Sequence, residues 1–151
     1  MPKRMSRSGN LDDGLEILDA AVVVEENDRI RSACLHIRGE LVSMPRPRLN
    51  HRGGIYLPAR YQRFRAQLRA MFDSGKLAGL DWSTGPYRLV VEVWKPFGLE
   101  TKRYGDIDNL VKSVMDALPF DDSLVAELVI TKYQSDEMKF RVIISRADTI
   151  P

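Results

Sequence analysis

The sequence switches between two hydrophobic periodicities, and this switching limits the folds that the chain can adopt. Apolar residues recur every three or four positions in residues 60–72 and 108–118, which predicts two amphipathic helices. Four other runs have the alternation or the β-branched content of strands, and they cover residues 33–42, 87–94, 124–133 and 138–144. The resulting order, β-α-β-α-β-β, predicts an α+β domain in which two main helices pack on one face of a small mixed β-sheet.

Two connections carry their own signals. Residues 45–58 contain three prolines and an adjacent glycine pair, Gly53 and Gly54, which predicts a loop with a hairpin-like turn at the glycines. The last two predicted strands are separated by the polar run QSDE, which predicts that they form a hairpin.

A chain of 151 residues suits a single domain with one core. We expect an N-terminal extension at 1–32 that is partly disordered over its first ten residues, a core domain at 33–146 and a tail at 147–151. Within the extension, residues 11–32 could form a short helix or an added strand, because so short an apolar run has no decisive periodicity.

Cysteine and histidine are scarce in this chain. Cys34 is the single cysteine, and His36 and His51 are the two histidines, so the chain can hardly supply a four-ligand zinc site. Any bound metal would therefore depend on carboxylates, which favour magnesium or manganese. The longest aliphatic run, residues 20–24, is far shorter than the about 20 residues of a membrane span, and we expect a cytoplasmic protein.

The positive charge is concentrated in one block. Residues 41–72 contain no Asp or Glu and carry seven arginines, so this window has a charge of +7 against a net charge of +2 for the chain. The remainder therefore carries 2 − 7 = −5. This asymmetry indicates one surface for a polyanion and another for cations.

Five aspartates surround one lysine between residues 106 and 122, namely Asp106, Asp108, Asp116, Asp121 and Asp122 around Lys112. The first two can point to the same side of an extended segment, and the chain can return after the helix towards them. Each feature also has a plain structural explanation: a helix cap at Asp108, a solvated Lys112–Asp116 pair, and a turn at Asp122. Carboxylates packed together repel one another unless a cation binds, so the cluster as a whole indicates a metal site.

The run DIDNLVKSVMDAL followed by DDSLV resembles the signature of the RusA family of Holliday junction resolvases. That signature is Asp-x-Asp-Asn-Leu-x-Lys-x-x-x-Asp-Ala-Leu followed by Asp-Asp-x-x-Val. The upstream run PRPRLNHRGGIYLPARYQRFRAQLRAMF is similar to the arginine-rich loop and first helix of phage-type members, and the resemblance covers roughly residues 34–145. It implies a homodimeric, magnesium-dependent endodeoxyribonuclease of bacterial or phage origin. Such an enzyme resolves four-way junctions by paired symmetric cuts during recombination and repair.

The resemblance also implies roles for individual residues. The family's metal ligands fall on Asp106, Asp108 and Asp122, and its catalytic lysine falls on Lys112. The loop before the second motif is shorter than in relatives, which makes Asp121 an alternative ligand. Mg²⁺ is the expected cofactor, with Mn²⁺ as an alternative.

The basic residues near the loop and before the motif are the candidate DNA contacts, and they are Arg46, Arg48, Arg52, Arg60, Lys102 and Arg103. Three rival functions remain open. The chain could cut flaps or forks instead of four-way junctions, it could bind branched DNA without cutting it, or its acids could merely cap and solvate a helix.

Overall fold

The computed structural model describes residues 14–45, 48–49, 51–96 and 106–147. Within these ranges the chain forms an α+β domain with one five-stranded sheet, a two-stranded hairpin and two main helices. The sheet strands are β1 (Glu16–Val24), β2 (Ile30–Arg38), β5 (Tyr87–Lys95), β6 (Val125–Gln134) and β7 (Lys139–Arg146). The hairpin is β3 (Arg48–Leu49) with β4 (Ile55–Tyr56), and the helices are α1 (Ala59–Met71) and α2 (Ile107–Ala117). The predicted fold class is confirmed.

The strand order in the sheet is β1-β2-β7-β5-β6, and the β5–β6 pair alone among these neighbours is parallel. Parallel neighbours need a crossover connection, and α2 lies within that connection. The predicted hairpin between the last two strands is wrong, because β5 lies between β6 and β7. The polar turn instead passes the end of β5, where the Ser135 amide donates to the Lys95 carbonyl at 3.1 Å.

The chain before the predicted core domain joins the same sheet. β1 pairs antiparallel with β2 from Glu16–Arg38 to Val24–Ile30, so the ambiguous run at 11–32 contains an added strand. The predicted disorder of residues 1–10 and the tail after residue 147 fall outside the described residues. No helix in the part of the chain that the structure describes is long and apolar enough to cross a membrane.

The hairpin-like turn predicted at the glycine pair is also confirmed. β3 pairs antiparallel with β4, and Gly53 has a φ of 81° in the turn between them. A residue with a side chain rarely adopts this conformation, so the glycine suits the turn.

One face of the sheet forms the core with both helices. The inward residues of the three central strands lie side by side, with Leu35 opposite Val142 and Val142 opposite Val91, and each is at most 1% exposed. Phe64 on α1 contacts Phe140 on β7 with ring centroids 6.1 Å apart. The other face of the sheet, which we call the open face, carries half-buried residues, among them Cys34, His36 and Trp94.

Asp116 joins the two helices. Its carboxylate accepts a 2.7 Å hydrogen bond from the Tyr61 hydroxyl and lies 4.0 Å from the Arg65 guanidinium. Arg69 donates to the carbonyl oxygens of Asp116 and Ala117, both at 3.0 Å. A cation at the carbonyl end of a helix is favourable, so part of the arginine-rich window holds α1 against α2. Burial, reinforced by the Asp116 hydrogen bond, raises the pKa of Tyr61.

Candidate active site

Two exposed carboxylates stand at the start of α2. Asp106 is the N-cap residue, with φ −82° and ψ 159°, but its side chain makes no capping hydrogen bond. Asp108 lies inside the first turn, so its predicted role as the N-cap is wrong. Neither carboxylate forms a hydrogen bond or ion pair with a residue that the structure describes. Both side chains are exposed, and no described residue occupies them.

The carboxylate pair opens on a cleft of about 780 Å³ between α2 and the edge strand β6. Asp106, Ile107 and Asp108 line the helix side, and Ile130, Thr131 and Lys132 line the strand side. The cleft lies at the carboxyl end of β5, where the chain leaves the strand for the crossover helix. Ligand sites in sheets with parallel strands commonly lie at this end.

Lys132 is a site residue that the sequence reasoning missed. It pairs in register with Val93, whose fully buried side chain faces the helices, so Lys132 faces the same side. A lysine two positions after Ile130, on the inward side of a predicted strand, was the available signal. This position brings a cation to the edge of the carboxylate cleft.

Asp122 lies at the opposite end of the crossover unit. It begins a short 3-10 turn, Asp122–Leu124, directly before β6. The cleft contacts β6 near Thr131, and the strand from Val125 to Thr131 rises about 20 Å. Helix α2, which is about 16 Å long, runs back along this strand and ends towards the turn that carries Asp122.

The chain therefore brings together two of the three predicted metal ligands. Among the described residues, no group of three His, Cys, Asp or Glu side chains could hold a metal ion. Asp121, the alternative ligand, accepts a 2.9 Å hydrogen bond from the Ser123 amide at the same distant turn. This hydrogen bond lowers the pKa of Asp121.

Lys112 follows Asp108 by one helical turn and is exposed. Residues four apart on a helix share a face, so Lys112 lies on the side of α2 that carries Asp108. Its predicted catalytic role remains a prediction.

The predicted DNA contacts lie partly within the described residues. Arg52 is exposed in the turn of the β3–β4 hairpin, whereas Arg60, at the start of α1, forms an ion pair with Glu40. Arg46, Lys102, Arg103 and the side chain of Arg48 fall outside the described residues.

An open carboxylate pair beside a lysine, on a domain with an arginine-rich window, suits a protein that binds a divalent cation and a phosphate-bearing polyanion. Residues 38–145 match the family described as Endodeoxyribonuclease RusA. The match spans well over half of the chain, and the chain belongs to this family of endodeoxyribonucleases. No curated protein matches it. β1 precedes the matched residues and nevertheless pairs into the sheet.

Proposed function

We propose that this chain is a magnesium-dependent endodeoxyribonuclease that resolves four-way DNA junctions by paired symmetric cuts during recombination and repair. The observation that carries the proposal is the pair of exposed carboxylates, Asp106 and Asp108, at the carboxyl end of β5. Membership of an endodeoxyribonuclease family supports the reaction class.

The donor chemistry of the site fits magnesium. Carboxylate oxygens are hard ligands, and Mg²⁺ usually keeps several waters while one or two protein carboxylates bind it. Asp106 and Asp108 would hold the ion, and their exposure leaves its other positions accessible to water and phosphate. The ion, when bound, supplies an activated water and neutralises charge on the phosphoryl oxygens. Mn²⁺ has similar ligand preferences and is the alternative cofactor.

The two lysines supply positive charge for the phosphate. Lys132 lies across the cleft from the carboxylates, and Lys112 lies one turn further along α2. A lysine held near the scissile phosphate stabilises the charge that develops during cleavage. We assign this role to both residues, with Lys132 on the side of the cleft formed by β6.

A two-fold homodimer would present two active sites to the two equivalent strands of a junction. Such a dimer also bears on Asp122, because Asp122 of a second copy could approach the carboxylate pair even though the turn within the same chain lies at the other end of β6, about 20 Å along the strand. Without it, Asp106 and Asp108 are enough carboxylates for Mg²⁺.

The decisive experiment compares cleavage of a labelled, immobile four-way junction, a flap and a linear duplex, each with Mg²⁺ or EDTA. We expect paired nicks at symmetric positions on the four-way junction, and we expect them only with Mg²⁺. Preferential cutting of the flap would identify a different branch nuclease. Tight binding without cleavage in any divalent metal would indicate a protein that binds branched DNA without cutting it. If the protein neither binds nor cuts the junction, the aspartates have only a structural role.

Lys132→Met is expected to slow the single-turnover cleavage rate about a hundredfold, because one lost electrostatic contact to the transition state typically has this effect. Junction affinity should change much less, because the many backbone contacts remain. Lys76→Met, at an exposed lysine that donates to the Ala20 carbonyl at 3.1 Å, is the matched control and should cut normally. A normal cleavage rate in Lys132→Met would exclude the assigned role.

Arg52→Gln is expected to weaken junction binding at low salt and to reduce the slope of log K against log salt by about 0.9, the value for one phosphate contact. Titrations at several salt concentrations measure both quantities. The matched control is Arg88→Gln, because Arg88 forms an ion pair with Glu127 on the open face of the sheet. If the two variants have the same slope as the wild type, the hairpin does not contact phosphate through Arg52.

A further inference from the structure

Lys95 is a fully buried lysine that the proposed chemistry does not use. It is the last residue of β5, and its side chain is 0% exposed on the face covered by the helices. Its ammonium group donates to the Leu41 carbonyl at 3.1 Å and lies 3.5 Å from the Glu40 carboxylate. Among the described residues, further charged groups that act on it include Arg60 of α1 and Lys132 of β6.

Burial makes this charge unfavourable for folding. It lowers the pKa of Lys95 to about 8, although the Glu40 carboxylate opposes the shift. The unfolded chain therefore holds the proton more tightly than the folded chain. The contribution of Lys95 to the free energy of unfolding consequently rises as pH increases from about 8 towards the ordinary lysine pKa. Below that range the buried charge lowers the stability of the folded chain. Apolar residues of similar size in place of the whole Lys95–Glu40 pair would often be as stable or more stable.

The groups around Lys95 hold one short piece of chain, residues 40–45, which we call the linking segment. At its start, Glu40 meets both Lys95 and Arg60, the second residue of α1. Near its end, the Met44 amide donates to the Asn109 carbonyl in the first turn of α2 at 3.0 Å. The segment therefore connects the end of β5 with the helix turn that carries Asp108.

The linking segment precedes the β3–β4 hairpin in the chain, and the hairpin carries Arg52 in its turn. We propose that Lys95 is a positioning residue, which acts through Glu40 and Leu41 to hold the linking segment and the following hairpin in a fixed relation to the start of α2. The role in catalysis rests on the proposed function. Arg52 of the hairpin would then contact the DNA backbone at a set distance from the carboxylate pair.

Lys95→Met tests the proposal through hydrogen exchange of the Met44 amide, which requires no activity. Exchange at Met44 should accelerate at least tenfold, while the amide of Val142 in the sheet centre keeps its protection. The substitution removes the burial cost of the charge but also leaves Glu40 without one of its cationic partners, so the unfolding temperature at pH 7 is recorded to show that the variant is folded during the exchange measurement. Lys139→Met is the matched control, since this lysine lies over Trp94 on the open face. Unchanged protection of Met44 in Lys95→Met would overturn the proposal.

Glu40→Gln tests the same contact from the other partner, should Lys95→Met fail to fold. The amide keeps the shape of Glu40 and removes the charge that meets Lys95 and Arg60, so exchange at Met44 should again accelerate. If Met44 stays protected in this variant, the linking segment does not depend on the contact.

Kinetics add a second readout. Lys95→Met should raise the KM for a four-way junction about tenfold and leave kcat within about twofold of the wild-type value. The reason is that substrate binding is weakened, whereas the groups at the scissile phosphate are unchanged. A fall of about tenfold in kcat with an unchanged KM would contradict positioning through the hairpin. If the wild type cuts no junction, the proposed function fails, and the exchange measurement still decides the role of Lys95.

Discussion

Asp108→Asn is expected to lower the rate of junction cleavage about a thousandfold or more while the protein still binds the junction. The asparagine keeps the size of the side chain but removes the charge that holds the cation, and a bound metal is worth several kcal/mol in the transition state. Single-turnover cleavage with saturating Mg²⁺ measures the rate, and gel-shift titration in EDTA measures binding. Fold stability should fall by at most about 1 kcal/mol, the usual size of a charge–helix-dipole interaction, because Asp108 lies exposed in the first turn of α2 and its side chain makes no polar contact with a described residue.

Asp136→Asn is the matched control, since Asp136 is exposed in the turn before β7. Cleavage at the wild-type rate by Asp108→Asn would remove the carboxylate pair from the mechanism. An equal loss in Asp122→Asn would implicate the distant turn as well. Mixing the two inactive variants then distinguishes the arrangements: activity returns if each site combines carboxylates from two copies, and stays absent if each site uses a single chain.

Phe140→Ala is expected to lower the free energy of unfolding by about 3–5 kcal/mol, the usual range for a large aromatic removed from a core. Phe140 is 0% exposed in the central strand β7 and packs against Phe64 of α1. Its removal leaves a cavity between the sheet and the helix. Urea unfolding followed by circular dichroism measures the change.

Leu128→Ala provides the comparison, because Leu128 is 40% exposed on the edge strand β6. This substitution should lower the free energy of unfolding by well under half as much as Phe140→Ala does. A loss below about 1 kcal/mol for Phe140→Ala would mean that the neighbouring side chains close the cavity at little cost.

The local elements could be predicted from the sequence, but their neighbours in the sheet could not. The apolar stripe that includes Leu110 and Val114 predicts α2 to within one residue at each end, because that stripe is buried in the core. The polar run after β6 also correctly predicts that the chain turns there. A turn signal is local, however, and does not show that β5 lies between the two strands that the turn connects.

The candidate site was likewise predictable in its local features but not in the features that depend on strand pairing. The spacing of Asp106 and Asp108 predicts a carboxylate pair at a helix start, and the pair is there. The positions of Lys132 and Asp122 depend on the parallel pairing of β5 with β6. In a strand–helix–strand crossover, the residues that leave the first strand and those that enter the second lie at opposite ends of the sheet. Recognition of that crossover in the sequence would have placed Asp122 at the far end.

The position of β7 has a consequence for the order in which the protein can be assembled. It is the last strand among the described residues, yet it lies in the middle of the sheet, between β2 and β5. Ser32 pairs with Ser145, so most of the chain separates the partners. During synthesis, β2 and β5 leave the ribosome long before the strand that joins them. Pairings of such long range form slowly, and the apolar faces of the earlier strands need protection until β7 emerges.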